Sequence, residues 1–223
     1  MLISRLRKRR ITTFHAPRAT EYERNYVRPE RQEDLHCLRE ILGKLFRGED
    51  VLEVACGTGY WTKALARTAR SVFATDVSER VLTLARTKNY GNATVNFLKA
   101  DCYALPQFDA LFTAGFGAFW WSRIPRVRLR EFMTDFHSHL AAGAKVAFID
   151  HRYFEGRSTP LFRAGVNGEA DTFQMRTLHD GHVHKVRKNF PSPEELTEVV
   201  GEFGRDIEVT LFDHHWLLVY RTS

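Results

Sequence analysis

Three acids and a pair of glycines, spread along the first half of the chain, have the types and spacing to do chemistry together. "VLEVACGTGYW" (Val51 to Trp61) carries Glu53 in an apolar run, then sets Gly57 and Gly59 with one residue between them. Asp76 closes the next apolar run, "FATDVS", 19 positions after Gly57, and Asp101 closes a third, "LKADCYALP". Glycines after a strand allow positive φ and bring backbone N–H groups close to a ligand. The N-terminus of a following helix adds the positive end of a dipole. An acid ending the second strand can accept both hydroxyls of a ribose. An acid ending the third, followed by a backbone N–H, suits the amine and N1 edge of adenine. In this order the three features point to an adenosine-containing ligand.

Two familiar nucleotide loops fit less well. The phosphate loop G-x-x-x-x-G-K-[ST] is absent, because no Lys-Ser or Lys-Thr follows these glycines. The dinucleotide pattern G-x-G-x-x-G has Thr62 at its third glycine, which weakens a nicotinamide or flavin reading without excluding it.

The surrounding pattern supplies the elements that would position these residues. Leu35, Leu38, Leu42 and Leu45 mark one face of a helix. "DVLEVAC" reads as a buried strand, "YWTKALARTA" as a helix, "SVFATDV" as a second strand, and "SERVLTLARTKN" as a helix with Ser78 as N-cap. "ATVNFLKAD" and "FDALFTAG" are the third and fourth strands, "PRVRLREFMTDFHSHL" is a helix, and "GAKVAFIDHRY" is a fifth strand after a glycine break. Five strands alternating with helices imply an α/β, doubly wound sheet, mostly parallel, with helices on both faces. The tail differs. "DTFQMRTLHDGHVHKVRKNF" predicts a C-terminal β-hairpin insert turning at Asp180-Gly181, and "SPEELTEVVGEF" a helix capped by Ser192 with Pro193 first. "DIEVTLFDHHWLLVYRT" predicts two strands around Asp213 that finish the sheet, the final strand antiparallel.

With Glu53 through Gly59, Asp76, Asp101 with Cys102, and "FDALFTAGF" in place, the chain resembles the class I S-adenosylmethionine-dependent methyltransferases of the small-molecule type. The resemblance runs from about Val27 to Ser223, and implies a Rossmann-like three-layer αβα fold and S-adenosylmethionine as cofactor, with S-adenosylhomocysteine as product. It also implies roles. The backbone around Ala55 and Gly57 would face the methionine amino group, Asp76 would hold the ribose, and Val77 would pack on the adenine. Asp101 and Cys102 would meet the adenine edge. Ala114 and Gly115, taken as the end of the fourth strand, would line the sulfonium side. The family's usual first motif, [DE]-x-G-x-G-x-G, has Ala55 at its first glycine here, which predicts an altered loop geometry.

Acceptor and chemistry are less legible. Displacement from a sulfonium already has a good leaving group, and a base is needed only if the nucleophile carries a proton. The loop after strand four, "AGFGAFWWSRIP", lacks an Asn-Pro-Pro-Tyr type motif, which counts against base amines and protein glutamine as acceptors. Its aromatics read as core for Phe116 and Phe119 or as a pocket wall. Trp120 and Trp121, being adjacent, cannot easily share one buried face, so at least one is a substrate-site or cation–π candidate. Tyr22 and Tyr26 would share a helical face and close over the site or pack against it. His151 and Tyr22 are the catalytic candidates, and Arg152 is a partner for an acidic substrate. The histidine pairs 137/139, 182/184 and 214/215 lack the usual ligand company, so no metal is expected.

Composition narrows the class. The 223 residues, 43% of them hydrophobic, suit one α/β domain with a substantial core. The net charge of +6 is concentrated in "MLISRLRKRR", whose five basic residues leave 28 bases against 27 acids elsewhere. Residues 1–20 therefore read as a basic flexible leader and residues 21–223 as the catalytic domain. Nucleic acid is not the expected partner, although a basic arm on an RNA methyltransferase is the alternative, as is an enzyme that uses the cofactor without transferring methyl. Three cysteines without C-x-x-C fit reduced thiols in a cytoplasmic protein. The longest uncharged stretch, Ala110 to Ser122, is too short to cross a membrane. A monomer or homodimer transferring methyl to oxygen or nitrogen of a small molecule is the expectation.

Overall fold

The computed structural model describes residues 23, 26–163, 171–177 and 181–223. The basic leader, Tyr22 and Asp180 lie outside the described residues.

Seven strands form one sheet in the order β3 (Thr94–Lys99), β2 (Ser71–Asp76), β1 (Asp50–Val54), β4 (Phe112–Ala118), β5 (Leu140–His151), β10 (His215–Thr222) and β9 (Gly204–Leu211). The first five pair in parallel, and β10 runs antiparallel to both β5 and β9. This is the doubly wound, Rossmann-like sheet with an antiparallel final strand that the alternation predicts. Side chains alternate across it: on β1, Val51 joins one core and Leu52 and Val54 the other. Helices α1 (Gln32–Leu45), α2 (Tyr60–Leu65) and α3 (Glu79–Arg86) contribute Leu38, Trp61 and Leu82 to the first core. Helices α4 (Leu129–His137) and α5 (Pro193–Gly201) contribute Phe136 and Val200 to the second. Each fully buried side chain of this kind stabilises by roughly 1.5–3 kcal/mol. Among the described residues no helix is long and apolar enough to cross a membrane.

Among the boundaries that differ from the sequence reading, three have a clear physical cause. Helix α4 starts at Leu129 rather than near Pro125, because residues 126–128 form a 3-10 turn whose Arg126 N–H donates to Asp171 at 3.0 Å. Strand β5 starts at Leu140 and runs through Gly143, whose φ of 74° accompanies a register shift against β4. Strand β4 continues to Ala118 although "AGFGA" looks like a loop. A Cβ on Gly115 would lie 2.5 Å from Phe136 Cζ, and one on Gly117 2.8 Å from Phe148 Cε1. Those glycines serve close packing of phenylalanines on a central strand.

The insert is a separate three-stranded antiparallel sheet, β6 (Phe162–Arg163), β7 (Thr172–Thr177) and β8 (Val183–Arg187). The residues just after β8 bind it to the main sheet. Lys188 Nζ donates to Asp150 at 2.7 Å and Ser122 at 2.6 Å, and Asn189 Nδ2 donates to the Ile124 carbonyl at 3.0 Å. Helix α5 opens on a complete capping box, with Ser192 and Glu195 each accepting the other's backbone N–H.

Candidate active site

Strand order reverses between β1 and β4, and ligands in open sheets sit at the C-terminal strand ends beside such a reversal. A cleft lies there, lined by Glu53, Ala55, Cys56, Gly57 and Thr58 from the turn after β1 and by Thr75, Asp76 and Val77 from the end of β2. Ala100 and Cys102 border it after β3, and Ala118, Phe119 and Trp120 after β4.

The turn after β1 is held in the left-handed region: φ is 53° at Ala55, 57° at Gly57 and 78° at Gly59. Ala55 thus adopts the conformation a glycine takes freely, at a cost of roughly 1–2 kcal/mol. The strain lies in the wall of the cleft, where such outliers concentrate when they serve function. Phe119 is a second case, with φ 56° at the end of β4. A Cβ on Gly57 would meet nothing within 4 Å, so the space over the turn is open.

Asp76 knits the turn to the next helix. Its Oδ2 accepts the Gly57 N–H at 3.0 Å and its Oδ1 the Ser78 N–H at 2.8 Å. Burial raises its pKa, and those N–H groups act against that. Thr62 stands at the position of the absent third glycine, and its hydroxyl donates to buried Glu53 Oε2 at 2.6 Å. Burial, followed by the charge of Asp76, pushes the Glu53 carboxyl up to about 8, while Thr62 acts against it.

A raised carboxyl pKa has a definite sign. Between the ordinary carboxyl value and about 8 the unfolded chain has released this proton and the folded chain holds it. Glu53 therefore lowers stability progressively as pH rises through that window, and its effect levels off above it. Glu53→Gln is expected to gain stability relative to wild type between pH 5 and pH 8.5, read as urea midpoints. A constant difference across that range would show that Glu53 keeps an ordinary pKa.

The predicted residues do not all meet at the cleft. Glu53, Ala55, Gly57, Asp76, Val77, Cys102, Tyr26 and Trp120 line it. Gly59 sits one residue behind its wall, packed against Ala85 and the Tyr90 hydroxyl. Asp101 bridges to Ala104 beside the wall and accepts the Tyr103 N–H at 3.3 Å. Ala114 and Gly115 are interior to β4 and fully buried; the strand end expected there is Ala118. Trp121 is core, 4% exposed and edge-on to Phe148 and Trp216, so the adjacent tryptophans divide between core and cleft. Cys56 and Cys102 are buried thiols whose pKa values burial pushes well up, which leaves them poor nucleophiles.

A larger cavity of about 760 Å³ adjoins the cleft and shares Tyr26, Phe119 and Arg123 with it. Tyr26 is positioned by a parallel ring stack on Tyr60 at 3.6 Å, and Arg39 holds the Tyr60 hydroxyl at 2.7 Å. The insert forms the far wall through Gln174, Arg176 and Lys188. His151 and Arg152 line the cavity, as their place after β5 predicts. The His151 ring stacks on Phe119 at 4.4 Å, and burial holds its pKa well below the usual imidazole value.

Sequence reasoning missed one pair altogether. His215 Nδ1 lies 2.8 Å from Asp34 Oδ2, and Asp34 also accepts the His214 N–H at 2.8 Å. The carboxylate fixes the tautomer that leaves Nε2 as an acceptor, and His215 lines the cavity. Burial lowers its pKa against the pull of Asp34. These residues are 181 positions apart, and nothing local in the sequence joins them.

Comparison with known proteins agrees with this geometry. Residues 51–143 match a family model described as a methyltransferase domain. A demethylmenaquinone methyltransferase from Clavibacter sepedonicus is 29% identical over 69% of this chain and 58% of its own length. One from Tropheryma whipplei is 34% identical over 42% of this chain and 41% of its own. The chain thus spans about half the length of these curated relatives. Among solved structures, a complex of DhpI with SAH is 29% identical, covers 95% of each chain and superposes with a TM-score of 0.75. A complex of DhpI with SAM and HEP gives 28% identity, 94% of each chain and 0.74. The sheet order, the cleft at its switch point and these relatives agree: residues 51–143 match a methyltransferase domain, and the chain as a whole resembles the class I S-adenosylmethionine-dependent methyltransferases.

Proposed function

We propose that this protein transfers a methyl group from S-adenosylmethionine to a small molecule seated in the larger cavity. The observation that carries the reading is the shared wall: Tyr26, Phe119 and Arg123 border both the nucleoside cleft and the cavity, so a donor in one faces an acceptor in the other. The cleft suits the cofactor. Asp76 has two lone-pair positions left for ribose hydroxyls after accepting Gly57 and Ser78. The open turn at Gly57 leaves room for the methionine half. Val77 and Cys102 provide the apolar sides expected around an adenine. When bound, the cofactor supplies an activated methyl on a sulfonium; the chain's own residues bind, orient and exclude water.

Incubating the protein with methyl-labelled cofactor and a metabolite extract tests this. A labelled small molecule and S-adenosylhomocysteine in equal amounts are expected. Cleaved or cyclised cofactor without a labelled acceptor would overturn the proposal. Tyr26→Ala is expected to cut kcat/KM about 10- to 100-fold, because misplacing an acceptor by about an ångström costs that much. An unchanged kcat/KM would show that the shared wall does not align donor and acceptor.

A further inference from the structure

The cavity wall carries six arginines and one lysine against two acids, Glu30 and Asp213. Several of these cations are engaged locally: Lys188 on Asp150 at 2.7 Å, Arg28 beside Glu30 at 3.7 Å, and Arg176 on the Gln174 side-chain oxygen at 2.6 Å. Arg31, Arg152 and Arg157 stand on the same wall, with exposed Asp213 as the other lining acid. Arg152 donates to the Phe212 carbonyl. Arg152 and Arg157 lie over one ring, that of Phe154, at 4.9 and 5.1 Å, and neither meets a carboxylate among the described residues. Arg31 is held among them with a buried Nε that has no hydrogen-bond partner among the described residues, and His151 Nδ1 is in the same state. Burial and the neighbouring Arg28 both weigh against the charge of Arg31.

Like charges gathered in a concave site repel one another and focus a positive potential into it. They also carry a charge that a neutral ligand does not offset. Guanidinium forks match the paired oxygens of carboxylate and phosphoryl groups, and such bonds are about twice as strong as neutral ones. We infer that the acceptor is a small acid, anchored by a carboxylate or phosphoryl oxyanion on Arg31, Arg152 and Arg157. The inference rests on the larger cavity being the acceptor site. It gives the transfer a simple balance when an ionised oxygen of the acid is the nucleophile. Its lone pair forms the new O–CH3 bond while the S–CH3 electrons pass to sulfur. The acid loses one negative charge, the sulfonium becomes a neutral thioether, and no proton moves.

Calorimetry on the full chain loaded with S-adenosylhomocysteine separates the possibilities, with malonate, phosphoglycolate and neutral malonamide as probes. At least one acid is expected to bind, malonamide is not, and the stronger acid identifies carboxylate or phosphoryl as the anchor. Arg157→Met, at an exposed residue, is expected to weaken the acid at least 10-fold, and Arg152→Met with Arg157→Met at least 100-fold. Both should keep S-adenosylhomocysteine affinity. Malonamide binding as tightly as malonate, or acid affinity unchanged in Arg157→Met, would overturn the inference. Arginine-dependent acid binding with no methylated product from any acceptor would instead sink the methyl-transfer reading and leave the anion site standing. Methylation of a neutral acceptor with no acid binding would do the reverse.

Discussion

Replacing Asp76 with alanine is expected to weaken S-adenosylhomocysteine binding at least about 100-fold, measured by titration calorimetry. Hydrogen bonds to a charged acceptor contribute about 1.5–3 kcal/mol each, and this carboxylate has positions for two ribose hydroxyls. The loss goes further, because the same oxygens accept the N–H groups of Gly57 and Ser78. Alanine would therefore remove a ribose partner and slacken the turn after β1 together. Asp76→Asn separates these effects, since its amide oxygen still accepts one N–H. It should fold like wild type and bind the nucleoside more tightly than the alanine variant but well below wild type. Wild-type affinity in both variants would mean that the acid ending β2 does not hold the ligand.

The second large effect is on stability. Lys188→Met is expected to destabilise the protein by about 3 kcal/mol or more, the usual result of leaving one buried partner of an ion pair alone. Asp150 is fully buried; burial pushes its carboxyl up, but Lys188 and the N–H groups of Ser122 and His151 hold it below the ordinary range. The lysine is depressed to about 8 by the same burial, against the pull of Asp150. Lys188→Met combined with Asp150→Asn should recover much of the loss, because a neutral amide needs no counter-charge. Urea unfolding of wild type and both variants measures this. A single variant as stable as wild type would show that the pair does not bind the insert to the sheet. The effect should also be local: S-adenosylhomocysteine affinity is expected to survive in the folded fraction, while acceptor turnover falls, because Lys188 lies in the cavity wall and not in the cleft.

Much of this architecture is legible in the sequence because it rests on short periods. Strand β1 and helix α1 carry their burial pattern in consecutive residues, and the left-handed turn after β1 is marked by Gly57 and Gly59. Asp76 and Asp101 are placed by where their strands end, so spacing alone brings Asp76 into the cleft wall and Asp101 beside it. Strand β4 runs three residues past its expected end for a physical reason. Gly115 and Gly117 read locally as loop formers, but they are there to admit Phe136 and Phe148, contributed by later elements. The part of the cleft wall that β4 supplies moves with that strand end, from the expected Ala114 and Gly115 to Ala118, Phe119 and Trp120.

The larger cavity belongs to long-range contacts. Asp34 finds His215, Lys188 finds Asp150, and six arginines from separate segments meet in one wall. None of these has a period, a motif or a short spacing to announce it. A net charge that is nearly neutral beyond the first ten residues hides a strongly cationic cavity, because composition averages over a surface that folding sorts. The sequence by itself determined the layers and the edge of the sheet at which the cleft opens, since hydrophobic alternation and backbone conformation act over a few residues. Only the tertiary structure decided which aromatic faces the cleft, how the insert is fastened, and what charge lines the larger cavity, since each of these depends on side chains brought together from far apart in the chain.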